Sequence, residues 1–111
     1  MEMLETKNGN ALVVTFKGRL DSVTSPPTQD RLLALVERGD TRLVLDLADL
    51  DYVSSAGLRV FMLVAKKIKS LNGRVVLCSL REPIREIFDI AGFSSLFPIA
   101  ATQAEALQQA N

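Results

Sequence analysis

The chain has 111 residues, 48% hydrophobic and 23% charged, the composition of one small soluble α/β-sized unit. Its 13 basic and 13 acidic residues balance to a formal net charge of zero, so neither direct nucleic-acid binding through a basic surface nor attraction to anionic lipid is expected. The absence of histidine and the single cysteine, Cys78, exclude an imidazole triad or dyad, a histidine metal site, a thiolate zinc site and an internal disulfide.

The N-terminus, MEMLETKNG, has neither the basic start nor the apolar stretch of a signal peptide. The longest apolar run, Val60 to Ala65, is far too short to cross a bilayer. The expectation is a cytoplasmic protein with no membrane insertion, no cofactor and no enzyme activity, built to bind.

In chain order, residues 3–7 predict an edge strand that turns at Lys7-Asn8-Gly9-Asn10, since Asn-Gly is a strong hairpin signal. The run 11–16 predicts the partner strand, closed by Gly18. Residues 21–24 read as a loop, followed by a helix capped by Ser25 with Pro26 in its first turn. Leu43 to Leu47 is apolar almost throughout, as in a strand buried on both faces of a parallel sheet. Residues 48–54 read as a connection into a long helix from about Ser55 to Leu71, ended by Asn72-Gly73. A strand at 74–78, a helix opened by Pro83 and stopped by Gly92, a short edge strand at 96–99 and a helix from Thr102 through Gln109 complete the order. Strands alternate with helices, so the fold class is α/β. One small mixed β-sheet has helices packed mainly on one face, in a single domain over 1–111.

Candidate function concentrates at residues 46–62. Ser54 and Ser55 stand at a helix start, where a serine hydroxyl serves as an N-cap. The same place also suits a phosphorylated hydroxyl, because free N–H groups and the positive end of the helix dipole face it. At about 100° per residue, Phe61, Val64 and Ile68 share the core face, flanked by Gly57 and Leu71. Ser55, Leu58, Arg59, Met62, Lys66 and Lys69 fall on the opposite arc. Leu58 and Met62 there read either as scattered surface residues or, with Arg59, as a docking strip. Asp46, Asp49 and Asp51 lack the ligand spacing of a calcium loop, so no metal is expected. Cys78 falls in a buried strand and reads as inert core.

Tyr52 to Val60, with Gly18-Arg19-Leu20-Asp21, Leu43 to Leu47 and Ile87 to Phe93, resembles the STAS domain family, specifically stand-alone anti-sigma-factor antagonists. The resemblance covers nearly the whole chain. It implies a mixed sheet with helices on one side and a non-enzymatic regulator. It further implies an anti-sigma factor partner that is a serine kinase of the histidine-kinase-like ATPase fold. An unphosphorylated antagonist binds that kinase and releases the sigma factor; phosphorylation ejects the antagonist, and a PP2C-type phosphatase resets it. Aligned on Gly57-Leu58, the acceptor falls on Ser55. The family's usual Asp before the acceptor is Ser54 here, which makes Ser54 an alternate acceptor. The resemblance implies partner binding through Ser54, Ser55, Ala56, Gly57, Leu58, Arg59 and Met62, with Asp21 and Asp46 in a supporting loop. Two other readings remain open: a constitutive adaptor subunit of a transporter complex, and a small-molecule or nucleotide sensor.

Overall fold

The apolar runs at 11–16, 43–47 and 75–78 form the central strands of a computed structural model that describes residues 1–111. The elements are β1 (Glu2–Asn8), β2 (Ala11–Leu20), α1 (Ser25–Glu37), β3 (Arg42–Val53), α2 (Ser55–Ser70), β4 (Arg74–Cys78), α3 (Glu82–Ile90), a 3-10 turn (Phe93–Ser95), β5 (Ile99–Ala100) and α4 (Gln103–Ala110). The sheet order is β1-β2-β3-β4-β5. The β1–β2 hairpin is antiparallel and every other pair is parallel, as the two kinds of strand pattern predict.

Alternation along the strands sorts the core onto two faces. Leu12, Val14, Phe16, Leu43, Leu45, Leu47 and Leu77 point to the side covered by α1, α2 and α3, in a cluster of 22 buried residues. Phe16 meets Phe61 of α2 edge-on at 5.8 Å between ring centroids, and Phe61 meets Phe88 of α3 at the same distance. Ala11, Val13, Val44, Val76 and Cys78 point the other way, where α4 closes a cluster of 8 with Ala106 and Ala110. At about 1.5–3 kcal/mol per fully buried large side chain, the α1–α3 face carries most of the hydrophobic stabilisation. Burial pushes the Cys78 thiol up to about 11, consistent with inert core.

Four local expectations are corrected. Residues 48–53 are not a loop: β3 runs on to Val53, because Leu50 and Val53 keep inward places while two register shifts in the β2–β3 pairing absorb the break in alternation. Ser25 is the first residue of α1, not its cap. Thr24 holds the cap position without a side-chain capping bond, and the Ser25 hydroxyl donates to Asp21 O. The last strand is Ile99–Ala100 only. Phe97 turns inward against Phe88 and Phe93, and Pro98 contributes its carbonyl to Leu77 N–H at 3.0 Å. On α2, Val60 joins the core face, whereas Leu71 is 46% exposed beyond the helix end.

Candidate functional site

The carboxyl ends of β2 and β3 meet the start of α2. Arg19 pairs with Tyr52 and Leu20 with Val53 across the two strands. Ser54 N–H then donates to Leu20 O at 2.9 Å and ties the turn down. Ser54 lies in extended backbone and its Oγ accepts from Gly57 N–H at 3.2 Å, so Ser54 is the N-cap of α2. Gly57 fits where a Cβ would lie 2.9 Å from side-chain carbons of both Leu20 and Val53. This close approach sets the angle at which α2 leaves the sheet.

The two serines therefore differ. Ser54 is half-buried and its oxygen is engaged by the helix. Ser55 is exposed at the first helical position, with its hydroxyl in no hydrogen bond. Ser54→Ala should cost about 1 kcal/mol of stability through loss of the cap. Ser55→Ala should stay within about 0.5 kcal/mol, since nothing is lost. Urea denaturation of the two variants side by side measures this difference.

Asp21 builds the neighbouring loop. Its carboxylate accepts from Thr24 N–H and Val23 N–H, each at 3.0 Å. These bonds, that of Thr24 first, hold the Asp21 carboxyl below the usual carboxylate range. Thr24 Oγ1 donates to Arg19 O at 2.8 Å, which braces the loop against β2. Between this loop, the start of α1 and the flank of α2 lies an open groove of 360 Å³, lined by Ser22, Ser25, Pro26, Ala56, Arg59 and Leu63 among others.

Asp46 does not join this loop. It shares its side of β3 with Val44, facing α4, where Gln103 Nε2 donates to it at 2.8 Å and Ala48 N–H at 3.0 Å. Strand alternation places it across the sheet from α2. The other two carboxylates are not free either. Arg81 contacts Asp51 at 2.7 Å, Asp49 at 3.8 Å and Ala48 O at 2.7 Å. The negative charge ahead of Ser55 is thus partly neutralised by a residue the sequence reading passed over.

The docking strip changes shape as well. Leu58 and Met62 are half-buried, Leu58 leaning on the core cluster. The exposed row from Ser55 runs through Arg59 to Leu63, which is 45% exposed. Arg59 sits one turn below Ser55 and takes part in no ion pair. Two further features escaped the sequence reading. The Arg19 guanidinium lies 4.3 Å from the centroid of the Tyr52 ring, a cation–π platform just before Ser54. Val23 is 80% exposed, an apolar residue at the tip of a polar loop, and that mismatch with its neighbours was visible in the sequence.

The STAS domain model matches residues 3–106. The chain belongs to the STAS domain family. BtrV of Bordetella bronchiseptica, named as an anti-sigma factor antagonist, is 42% identical over 106 residues, covering 96% of this chain and 91% of that protein. The anti-sigma-B factor antagonist of Bacillus subtilis is 32% identical over 103 residues, covering 92% and 93%. Among solved structures, an anti-sigma factor antagonist from Mycobacterium paratuberculosis superposes with a TM-score of 0.89 at 25% identity, covering 98% of this chain and 92% of that one. The phosphorylated form of the Bacillus cell fate determinant SpoIIAA shares the fold, with a TM-score of 0.76 at 17% identity, covering 99% and 100%. The relatives that this STAS domain matches are named as anti-sigma factor antagonists. In this STAS domain no helix is long and apolar enough to cross a membrane.

Proposed function

We propose that this STAS domain is a phosphorylation-gated anti-sigma factor antagonist without enzyme activity, acting in the cytoplasm. Unphosphorylated, it binds an anti-sigma factor that is also a serine kinase of the histidine-kinase-like ATPase fold, and the sigma factor is released. The kinase phosphorylates Ser55 and loses its grip; a PP2C-type phosphatase restores the hydroxyl. The observation that carries this reading is the division of labour between the two serines. Ser54 caps α2, so Ser55 presents an unengaged, exposed hydroxyl at the helix start. Free backbone N–H groups and the helix dipole suit that position to a phosphate. Ser54 also stands where the family resemblance implies Asp, and its capping bond supplies a reason to keep a short polar side chain there.

The partner surface is centred on Ser54, Ser55, Ala56, Gly57, Leu58, Arg59 and Met62, and extends to Leu63 and the Asp21 loop. Incubation with the cognate kinase and ATP, followed by fragmentation mass spectrometry, should place a single phosphate on Ser55. Phosphate on Ser54 with Ser55 empty would refute the assignment. Ser55→Ala should remain unmodified and keep binding the kinase.

A further inference from the structure

The chain is formally neutral, yet α2 carries Arg59, Lys66, Lys67 and Lys69 and no acidic residue. Its second half forms one wall of an open groove of 530 Å³, facing the start of β4 and the segment that leads into β5. The interior is apolar, with Met62, Ile68, Val75 and Phe97, and Leu96 stands at the groove 63% exposed. Lys66, Lys69 and Arg74 also line it, and no carboxylate does. None of these three side chains makes an ion pair. By contrast Lys7, Arg31, Arg38, Arg81 and Arg85 each hold a carboxylate.

Attraction to the C-terminal end of the helix dipole explains cations in the last turn of α2. It does not explain Arg74, which belongs to β4, or an exposed leucine beside an apolar trough. Apolar contact area ringed by unpaired cations is complementary to apolar side chains flanked by carboxylates.

We propose that this groove docks an acidic amphipathic segment of a protein partner, with apolar side chains on one face and Asp or Glu on its flanks. The groove borders the proposed kinase-binding surface at Met62, but its cations lie away from the phosphorylation site. Lys66 is eleven residues along α2 from Ser55, roughly 16 Å at the helical rise. The partner's segment would seat apolar residues against Met62, Phe97 and Leu96, while its carboxylates meet Lys66, Lys69 and Arg74.

The test is an amide-resolved NMR titration of the full chain with a synthetic amphipathic helical peptide of about 15 residues, Leu on one face and Glu on the flanks. Saturable shifts should cluster at Met62, Lys66, Lys69, Arg74 and Leu96. The same peptide with Lys in place of Glu should bind at least about tenfold more weakly, by charge complementarity. The Lys66→Glu, Lys69→Glu, Arg74→Glu triple variant and, separately, Leu96→Ser should lose the interaction. All four positions are exposed, so an otherwise unchanged spectrum certifies the fold of each variant. Ser55→Asp should leave the peptide affinity unchanged, which keeps failure here distinct from failure of the Ser55 reading. The proposal is overturned by shifts absent from the groove, by equal binding of the Lys peptide, or by loss of binding in Ser55→Asp. Saturable decanoate binding at these residues, tighter than the Glu peptide, overturns it in favour of a lipid ligand.

Discussion

Gly73→Ala should lower the stability of this domain by about 3 kcal/mol, the upper part of the range for overpacking a tight site. The reason lies in the exit from α2. Gly73 N–H donates to Ile68 O at 2.9 Å and closes the helix, and the next residue, Arg74, donates to Thr41 O at 2.7 Å and opens the β3–β4 ladder. A Cβ on Gly73 would lie 2.2 Å from Thr41 O, 2.8 Å from Thr41 Cβ and 2.9 Å from Ile68 Cγ2. The first of these is a backbone atom fixed by the ladder, so no rotamer change relieves it. Either the helix end or the strand must move, and both are bonded on each side of the glycine. At about 4–8 °C per kcal/mol for a domain near this size, the thermal midpoint should fall by roughly 12–24 °C. Gly92→Ala is the matched control: its backbone is left-handed at φ +77° but nothing lies within 4 Å of a Cβ there. That substitution should cost only about 1 kcal/mol, the conformational penalty alone. Thermal melts followed by circular dichroism compare the two. Equal midpoints would show that the Thr41 contact relaxes freely.

The sequence made the element order legible because its patterns are local. Uninterrupted apolar strands marked the parallel centre, Asn8-Gly9 the hairpin, and Asn72-Gly73 the end of α2. The start of α2 was legible for the same reason, since two serines before Ala56-Gly57 leave few alternatives to a helix N-terminus. What escaped depends on contacts between distant segments. The acidic stretch 48–53 reads as a loop by composition, but pairing with β2 across two bulges holds it in the sheet. Asp46 lies four residues before Leu50 along one strand, where strict alternation would give both the same face; the register shift between them leaves Asp46 under α4 with Gln103, 57 residues away. Arg81 pairs with Asp49 and Asp51 from 30 or more residues downstream, and nothing near those carboxylates announces it. A helical wheel separates core from surface but not surface from groove. It therefore put Met62 on the exposed arc, whereas Met62 is half-buried and lines a groove together with Val75 and Phe97.

Phosphorylation of Ser55 should weaken binding to the proposed anti-sigma kinase partner by at least about 100-fold while leaving the domain folded as it is. At about 1.4 kcal/mol per tenfold, that requires roughly 3 kcal/mol, within the cost of misplaced charge at an interface. The local structure favours an effect at the surface and not on the fold. A phosphate adds roughly 1.5 to 2 negative charges at pH 7. The free N–H groups at the start of α2 and the uninvolved Arg59 guanidinium one turn away offer it compensation, and Arg81 already holds Asp49 and Asp51. The turn before Ser55 has little freedom to rearrange. Ser54 is bonded at both its N–H and its Oγ, Gly57 is pressed between Leu20 and Val53, and the Asp21 loop is braced by Thr24. The added charge must then be desolvated when the partner covers Ser55, and that penalty falls on the complex alone. Amide chemical shifts of phosphorylated against unphosphorylated protein separate this from a conformational switch. Changes should stay within about one helical turn of Ser55, the reach of the helix-end field, with Arg59 Nε–H shifted as it pairs. Ser55→Asp should reproduce the loss of affinity in part, because it carries less charge than the phosphate. Shifts spreading through Ile68 and into β4 at Val75 would instead require a rearranged domain, and the electrostatic account of the switch would fall.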